Sequence, residues 1–596
     1  MRGIGRKRWS LSFSRPSFPL QTLQQFNSFR LGHSSRSAPS PCVGSSSTTR
    51  ALSSFVQNHN EWFEDTTGRW LFNDARRREE RIRMFDVHEL CRLAADSVGR
   101  RPSDIIRFEK LAEGTSNRVF RITMDDNFQM IARIPYPVVH AKYLVVASEV
   151  ATLSLLRSAG LPVPQVYGYS PTADNPTRTE YIFMECMPGT DLGDVWHDLG
   201  KKEIASFMRE LVDLEAKMMA LEFPACGGVY FSEDLANAPG PAVRGIKLKD
   251  PRFCIGPELD ICFWQGRRAE LNVDRGPYGT VEAVLTAPAE KELAYLRDYG
   301  RPLLPLNRFK REYYDFQPQL PSDHANNLRA YLRLIPFLTP RDPALGRFCL
   351  RHPDLSPRNI MVVSSHDDAS RPTVVGLIDW QYTTVRPLFL QSSVPRSFDN
   401  SDDSASREMV RPRLPDDFAD LGENEQEEAR ERYRRRLVHY YYAGHTQVSN
   451  DDHTASLTEP GNALRGNLFY HAGQPWCGEP HELKATLVRA AGWWDVFSGP
   501  RGAPCPVVFD VDDVARTTKR SAEIQEADGL RGSVRTMLGA AGPDTDWMPA
   551  ERYEESMKRA VELKQLMLEA AESDEDRARI EANWYFGDFD EAEYDL

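Results

Sequence analysis

The first 60 residues contain neither Asp nor Glu, although the 596-residue chain carries a net charge of −12. Basic residues are not scarce there: Arg2, Arg6, Lys7, Arg8, Arg15, Arg30, Arg36 and Arg50 lie among many serines. Between residues 8 and 31, Trp9, Leu11, Phe13, Phe18, Leu20, Leu23, Phe26, Phe29 and Leu31 interleave with Ser, Gln and Arg. A basic, Ser-rich, acid-free and potentially amphipathic opening reads as a mitochondrial transit peptide, which we place at residues 1–50. It has no long apolar core, which disfavours a secretory signal. The plainer alternative is a disordered basic tail. Without its eight basic residues the rest of the chain stands near −20.

Other absences narrow the class. No run of about 18 apolar residues occurs, so no transmembrane helix is expected. The nine cysteines form no Cys-x-x-Cys pair, which argues against a structural zinc site and for reduced thiols. The acidic balance argues against a nucleic-acid partner, because phosphate contacts need a basic face.

The chain is organised around Phe348 to Val363, which reads as a short strand, a polar turn and a second strand. The turn holds His352, Asp354 and Asn359. A further apolar strand, Val374 to Ile378, ends on Asp379 and Trp380, with a polar segment between the two apolar runs. Such a pattern predicts an antiparallel hairpin. Asn359 and Asp379 then lie side by side at one end of the ribbon, with Asp354 close by. A carboxylate base next to an amide–carboxylate pair able to hold a metal is equipment for moving a phosphoryl group.

Upstream, residues 60–100 read as charged helices, Trp62–Arg83 and Asp86–Ser97. Period-two runs at 105–108, 119–122 and 129–134 predict a three-stranded meander. Its first turn, Glu113 to Asn117, includes Gly114, Thr115 and Ser116 and is small enough to bring N–H groups close to phosphates. Taken alone, one Gly in a hairpin turn is usually just a turn. A helix over 140–159 places Glu149 on a mostly apolar surface, where a buried carboxylate needs a cation. Arg133 is the candidate; a solvent-facing Glu149 is the alternative. Two more strands near 165–169 and 181–186 lead to Met187-Pro188-Gly189, a hinge into a mainly helical second half. The acidic tail from Glu581 carries Trp584, Tyr585, Phe586, Phe589 and Tyr594, which suits a tail docked on the body.

Taken together, these segments resemble the protein-kinase-like fold of the aminoglycoside phosphotransferase family. His352-x-Asp354-Leu355-x-x-x-Asn359 resembles the kinase catalytic loop. Met184 to Gly189 is similar to the family's hinge, and Ile378-Asp379-Trp380 to its counterpart of Asp-Phe-Gly. Within the family, Phe253 to Pro257, Asp274 to Tyr278 and Ala503 to Val507 resemble landmarks of a fungal mitochondrial branch. The fold expected is α+β and bilobal, with a five-stranded antiparallel N-lobe, a mainly helical C-lobe and a helical C-terminal extension. The divisions expected are a leader at 1–50, a helical N-terminal extension at 51–100, the N-lobe at 101–187, the C-lobe at 188–500 and the extension at 501–596.

The resemblance implies roles. Asp354 is the catalytic base and His352 braces its loop. Asn359 and Asp379 hold Mg²⁺ on ATP. Gly114, Thr115 and Ser116 lie over the phosphates, Arg133 takes the place of the phosphate-binding Lys, and Glu149 is its helix partner. The backbone of Glu185 and Met187 faces adenine. Nothing like Ala-Pro-Glu follows Asp379, which points to a small-molecule acceptor over a protein, and net acidity leans toward a cationic one. The competing reading is a pseudokinase that acts in mitochondrial maintenance or inheritance through binding.

Overall fold

The computed structural model describes residues 60–240, 243–364, 372–499 and 502–595. The expected leader lies outside them.

The period-two runs form the expected sheet. Its strands are β2 (Ile105–Glu113), β3 (Asn117–Met124), β4 (Gln129–Pro135), β5 (Val166–Ser170) and β6 (Tyr181–Glu185), in the order β2-β3-β4-β6-β5. Every neighbouring pair is antiparallel. Alternation decides which residues face which layer. Phe120, Ile122, Met130, Ala132 and Ile134 pack on helix α1 (Val87–Ser97) through Leu90, Cys91 and Ala94. The opposite face, with Ile131, Ile182 and Met184, meets Val146 and Val150 of helix α2 (Lys142–Ser158). Arg133 shares the parity of Ile131, so the pleat aims it at α2.

The hinge glycine is needed for two reasons. Gly189 has φ +92°, and a Cβ there would lie 2.2 Å from the Val362 carbonyl oxygen. That close approach lets β7 (Thr190–Asp191) pair with Val362 and Met361 of the predicted hairpin. The hairpin itself pairs Ile360–Ser364 with Pro372–Leu377, Ile360 opposite Leu377. Beneath it lies the C-lobe core, where Phe207, Met208 and Leu211 meet Leu350, Leu355, Ile360 and Trp380. Long helices complete the lobe at Val281–Tyr299, Pro321–Leu338 and Glu423–Ser449, and Val511–Met537 and Tyr553–Ala570 extend it. No helix among the described residues is long and apolar enough to cross a membrane.

The expected helix over Trp62–Arg83 is not formed as one element. It contains strand β1 (Gly68–Trp70), followed by only one short helix, Asp74–Glu79. The cause is a distant partner: β1 pairs antiparallel with Trp547–Pro549. Around this pairing, Leu71, Phe309, Ala527, Val534, Met548 and Phe586 form one apolar cluster. The aromatic tail is docked there. Asn73 donates to the Phe589 carbonyl and to Glu591, and Tyr594 is buried.

Candidate active site

Sheet and helix supply the first half of the site. Arg133 donates one terminal nitrogen to Glu149, which is 4% exposed, and the other to Asp379 at 2.5 Å. The solvent-facing alternative for Glu149 is thereby set aside. One guanidinium thus serves two carboxylates of different environment. Burial pushes Glu149 up to about 7 against the pull of Arg133, with Asp379 adding to the rise. Burial also opposes charge on Asp379, but Arg133 overrides it and holds that carboxyl below its usual range. The Asp379 side chain is 48% exposed and opens to the cleft.

The hairpin supplies the second half. The Ile378 N–H donates to the Asn359 carbonyl at 3.0 Å, so Asn359 and Asp379 lie at the same end of the ribbon, as the register predicts. Asp379 has φ +65°, a left-handed turn that directs the chain away from the strand. His352 accepts at Nδ1 from the Asp354 N–H (3.1 Å) and therefore donates from Nε2 to the Ile378 carbonyl (2.8 Å). Burial lowers its pKa, which favours this neutral tautomer, and its ring packs edge-on against Trp380. His352 thus braces the turn. Asn359 Nδ2 donates to the Asp354 carbonyl (2.9 Å) and to its Oδ2 (3.1 Å). Asp354 itself is exposed, and its carboxylate accepts from the Asn359 amide and, at 3.4 Å, from the Ser356 hydroxyl.

The polar turn lies alongside. Gly114 N–H closes it onto the Asn117 carbonyl at 2.9 Å, with Thr115 exposed at the tip and Ser116 beside Tyr382. Glu185 and Met187 occupy the strand-to-hinge junction. The Glu185 N–H is spent on the Gln165 carbonyl (2.8 Å), and the Met187 side chain packs over Gly376 of the hairpin.

Several contributors escaped sequence reasoning. Gln381 accepts from Arg133 (3.1 Å), and its side-chain oxygen lies 2.7 Å from the Asn117 amide, which ties the polar turn to the segment after Asp379. Arg351, next to His352, is buried against Glu215 (2.6 Å), and Tyr442 donates to the same carboxylate (2.6 Å). The position of Gln381 two residues past Asp379 was a usable signal. Nothing local marks Glu215.

The donor set suits a hard cation with a nucleotide. No cluster of three or more His, Cys, Asp or Glu able to hold a metal alone occurs among the described residues. One carboxylate (Asp379) and one amide oxygen (Asn359, whose NH₂ faces Asp354) are what Mg²⁺ uses when phosphate oxygens complete its shell.

Residues 107–389 match the model of the phosphotransferase enzyme family. A subtelomeric hrmA-associated cluster protein of Aspergillus fumigatus is 32% identical over 477 residues, spanning 73% of this chain and 89% of that protein. Members of the expected fungal branch also match. Altered inheritance of mitochondria protein 9 of Yarrowia lipolytica, a mitochondrial protein, is 27% identical over 56% of this chain and 60% of its own length. Among solved structures, a putative fructosamine-3-kinase from Thermobifida fusca aligns at 14% identity, with a TM-score of 0.32, over 68% of this chain and all of that one.

Proposed function

The chain belongs to the phosphotransferase enzyme family, and on that footing we propose that it is an ATP-dependent phosphotransferase of mitochondria that phosphorylates a hydroxyl of a small molecule. The observation that carries this reading is the convergence of Asp354, Asn359, Asp379 and the Arg133–Glu149 pair on one cleft. The mitochondrial part rests on the acid-free leader and on relatives named as mitochondrial.

Asp354 accepts the acceptor's hydroxyl proton. It is held for this by the Asn359 amide and by the His352 ring behind its backbone N–H. The acceptor oxygen then bonds to the γ-phosphorus as the β–γ bridge breaks, releasing ADP. Mg²⁺, when bound at Asn359 and Asp379, spreads the charge of the β- and γ-phosphates. Arg133 holds phosphate charge as well, and Gly114, Thr115 and Ser116 cover the phosphates. The backbone at Glu185 and Met187 borders adenine. Positioning and charge cancellation supply the rate, because phosphoryl transfer needs little covalent chemistry from the protein.

The second reading, a pseudokinase acting in mitochondrial maintenance, is favoured by one observation: Arg133 grips the very carboxylate assigned to the metal. Thermal unfolding with Mg·ATP separates the two. At 100 times its dissociation constant a ligand stabilises by about 2.7 kcal/mol. We expect a shift that Asp379→Ala abolishes and Asp354→Ala keeps while transfer is lost. No shift at millimolar Mg·ATP sinks the enzyme reading.

A further inference from the structure

These roles leave unused a chamber of about 720 Å³ beside the phosphate turn. Thr115 and Ser116 form one edge, and Tyr382, three residues past Asp379, forms another. With Thr115 and Ser116 over the phosphates, as proposed above, the chamber borders the phosphate end of the cleft. Two of its walls come from outside the family match: Phe72, Arg76, Arg77 and Glu80 in and around the short helix after β1, and the C-terminal extension with its tail.

Its wall charges do not cancel. Four carboxylates line it, and each is held by a cation. Glu80 is paired with Arg76 and Arg77, and Glu591 with Arg77. Glu479 is paired with Lys310 at 3.0 Å, and Asp546 is gripped in a fork by Arg535. Two lining arginines remain. Arg308 donates only to the carbonyls of Trp584 and Gly587 and lies over the Phe589 ring, with no carboxylate at ion-pair distance among the described residues. Arg531 reaches only Asp546, at 3.8 Å, a carboxylate already committed to Arg535. Burial lowers the pKa of both, helped by a neighbouring arginine in each case (Arg311 and Arg535), against the more distant pull of Asp588 on Arg308 and of Asp546, Asp528 and Glu479 on Arg531. Beside them the wall is aromatic, with Phe72, Phe309, Tyr585 and Phe586.

We propose that this chamber is the acceptor site, and that it takes a hydroxyl-bearing molecule with an anionic group and a flat apolar body. Arg308 and Arg531 neutralise the anion, the aromatic wall covers the body, and the hydroxyl is left at the Thr115–Tyr382 edge, toward the phosphates. The leaning of the net charge toward a cationic acceptor is reversed locally, because a binding wall is read by its own unpaired charges. This proposal rests on the phosphotransferase reading.

The test uses the full chain and two synthetic alcohols, 4-(hydroxymethyl)benzoate and 4-(hydroxymethyl)benzylamine, in calorimetric titrations and in transfer from γ-labelled Mg·ATP. We expect the carboxylate to bind and to be phosphorylated, and Arg531→Gln, at a partly buried position, to weaken its binding at least tenfold. Arg531→Lys should recover part of that loss. The amine should do neither. Tighter binding of the amine, no binding of the carboxylate at millimolar concentration, or a change under twofold in Arg531→Gln overturns the proposal. Binding of the carboxylate without any Mg·ATP thermal shift instead identifies failure of the phosphotransferase reading, and the acceptor role falls with it.

Discussion

Arg133 on β4 bridges Glu149 of α2 and Asp379 after the hairpin, so a single guanidinium fixes the relation between sheet, helix and the candidate metal ligand. The two carboxylates lose it unequally. Glu149 is 4% exposed and cannot recover water, whereas Asp379, at 48%, can.

Arg133→Met therefore acts mainly by stranding Glu149. Breaking a buried pair from one side costs about 3–5 kcal/mol. Protonation of Glu149, already pushed up to about 7, trims that cost near neutral pH. Arg133→Lys keeps the charge but loses the fork, because one ammonium cannot serve both partners as a planar guanidinium does. Its loss should fall between wild type and Met. Urea unfolding measures both. A Met variant within about 1 kcal/mol of wild type would show the pair to be dispensable.

The same pair sets a pH dependence. The folded-state pKa of Glu149 is raised to about 7 from 4.5. The folded protein thus holds the proton more tightly than the unfolded chain. That contribution is fully present below the unfolded value and is lost as pH rises through the folded one. Asp379 runs the other way, but its window lies below its ordinary 3.8. His352, lowered from 6.5, also opposes Glu149, so the difference between wild type and Glu149→Gln is the informative curve. From about pH 5 to 8, stability of wild type relative to Glu149→Gln should fall. A flat difference curve would mean that Glu149 is not raised.

The legible parts of this molecule are those written in local periodicity. Ile131 and Arg133 share a parity, so the strand pattern that predicted the sheet also aimed Arg133 at the helix carrying Glu149. The hairpin register similarly put Asn359 beside Asp379. Contacts between remote segments left no such trace. Glu215 sits on a helix whose pattern says only that one face is buried, and Arg351 finds it across 136 positions. Gly68–Trp70 is three residues long, too short for a period, and its partner lies more than 470 residues away. In isolation the surrounding charges read as helix, and tertiary pairing overrode them.

That remote pairing makes a sharp test of how the extensions cooperate. A Cβ on Gly68 would lie 1.9 Å from the indole nitrogen of Trp547, so Gly68→Ala forces the ring off the strand. Overpacking of this kind costs about 1–3 kcal/mol. The cost should be local, because β1 and Trp547–Pro549 anchor the cluster of Leu71, Met548 and Phe586, while the five-stranded sheet has its own core against α1. Hydrogen exchange should therefore speed up at 68–71, 547–549 and the tail from Trp584, and stay unchanged at 117–135. Because the tail also walls the anion chamber, the same variant should weaken 4-(hydroxymethyl)benzoate more than Mg·ATP. Faster exchange spread evenly over both lobes would show instead that the extensions are part of one cooperative unit with the sheet.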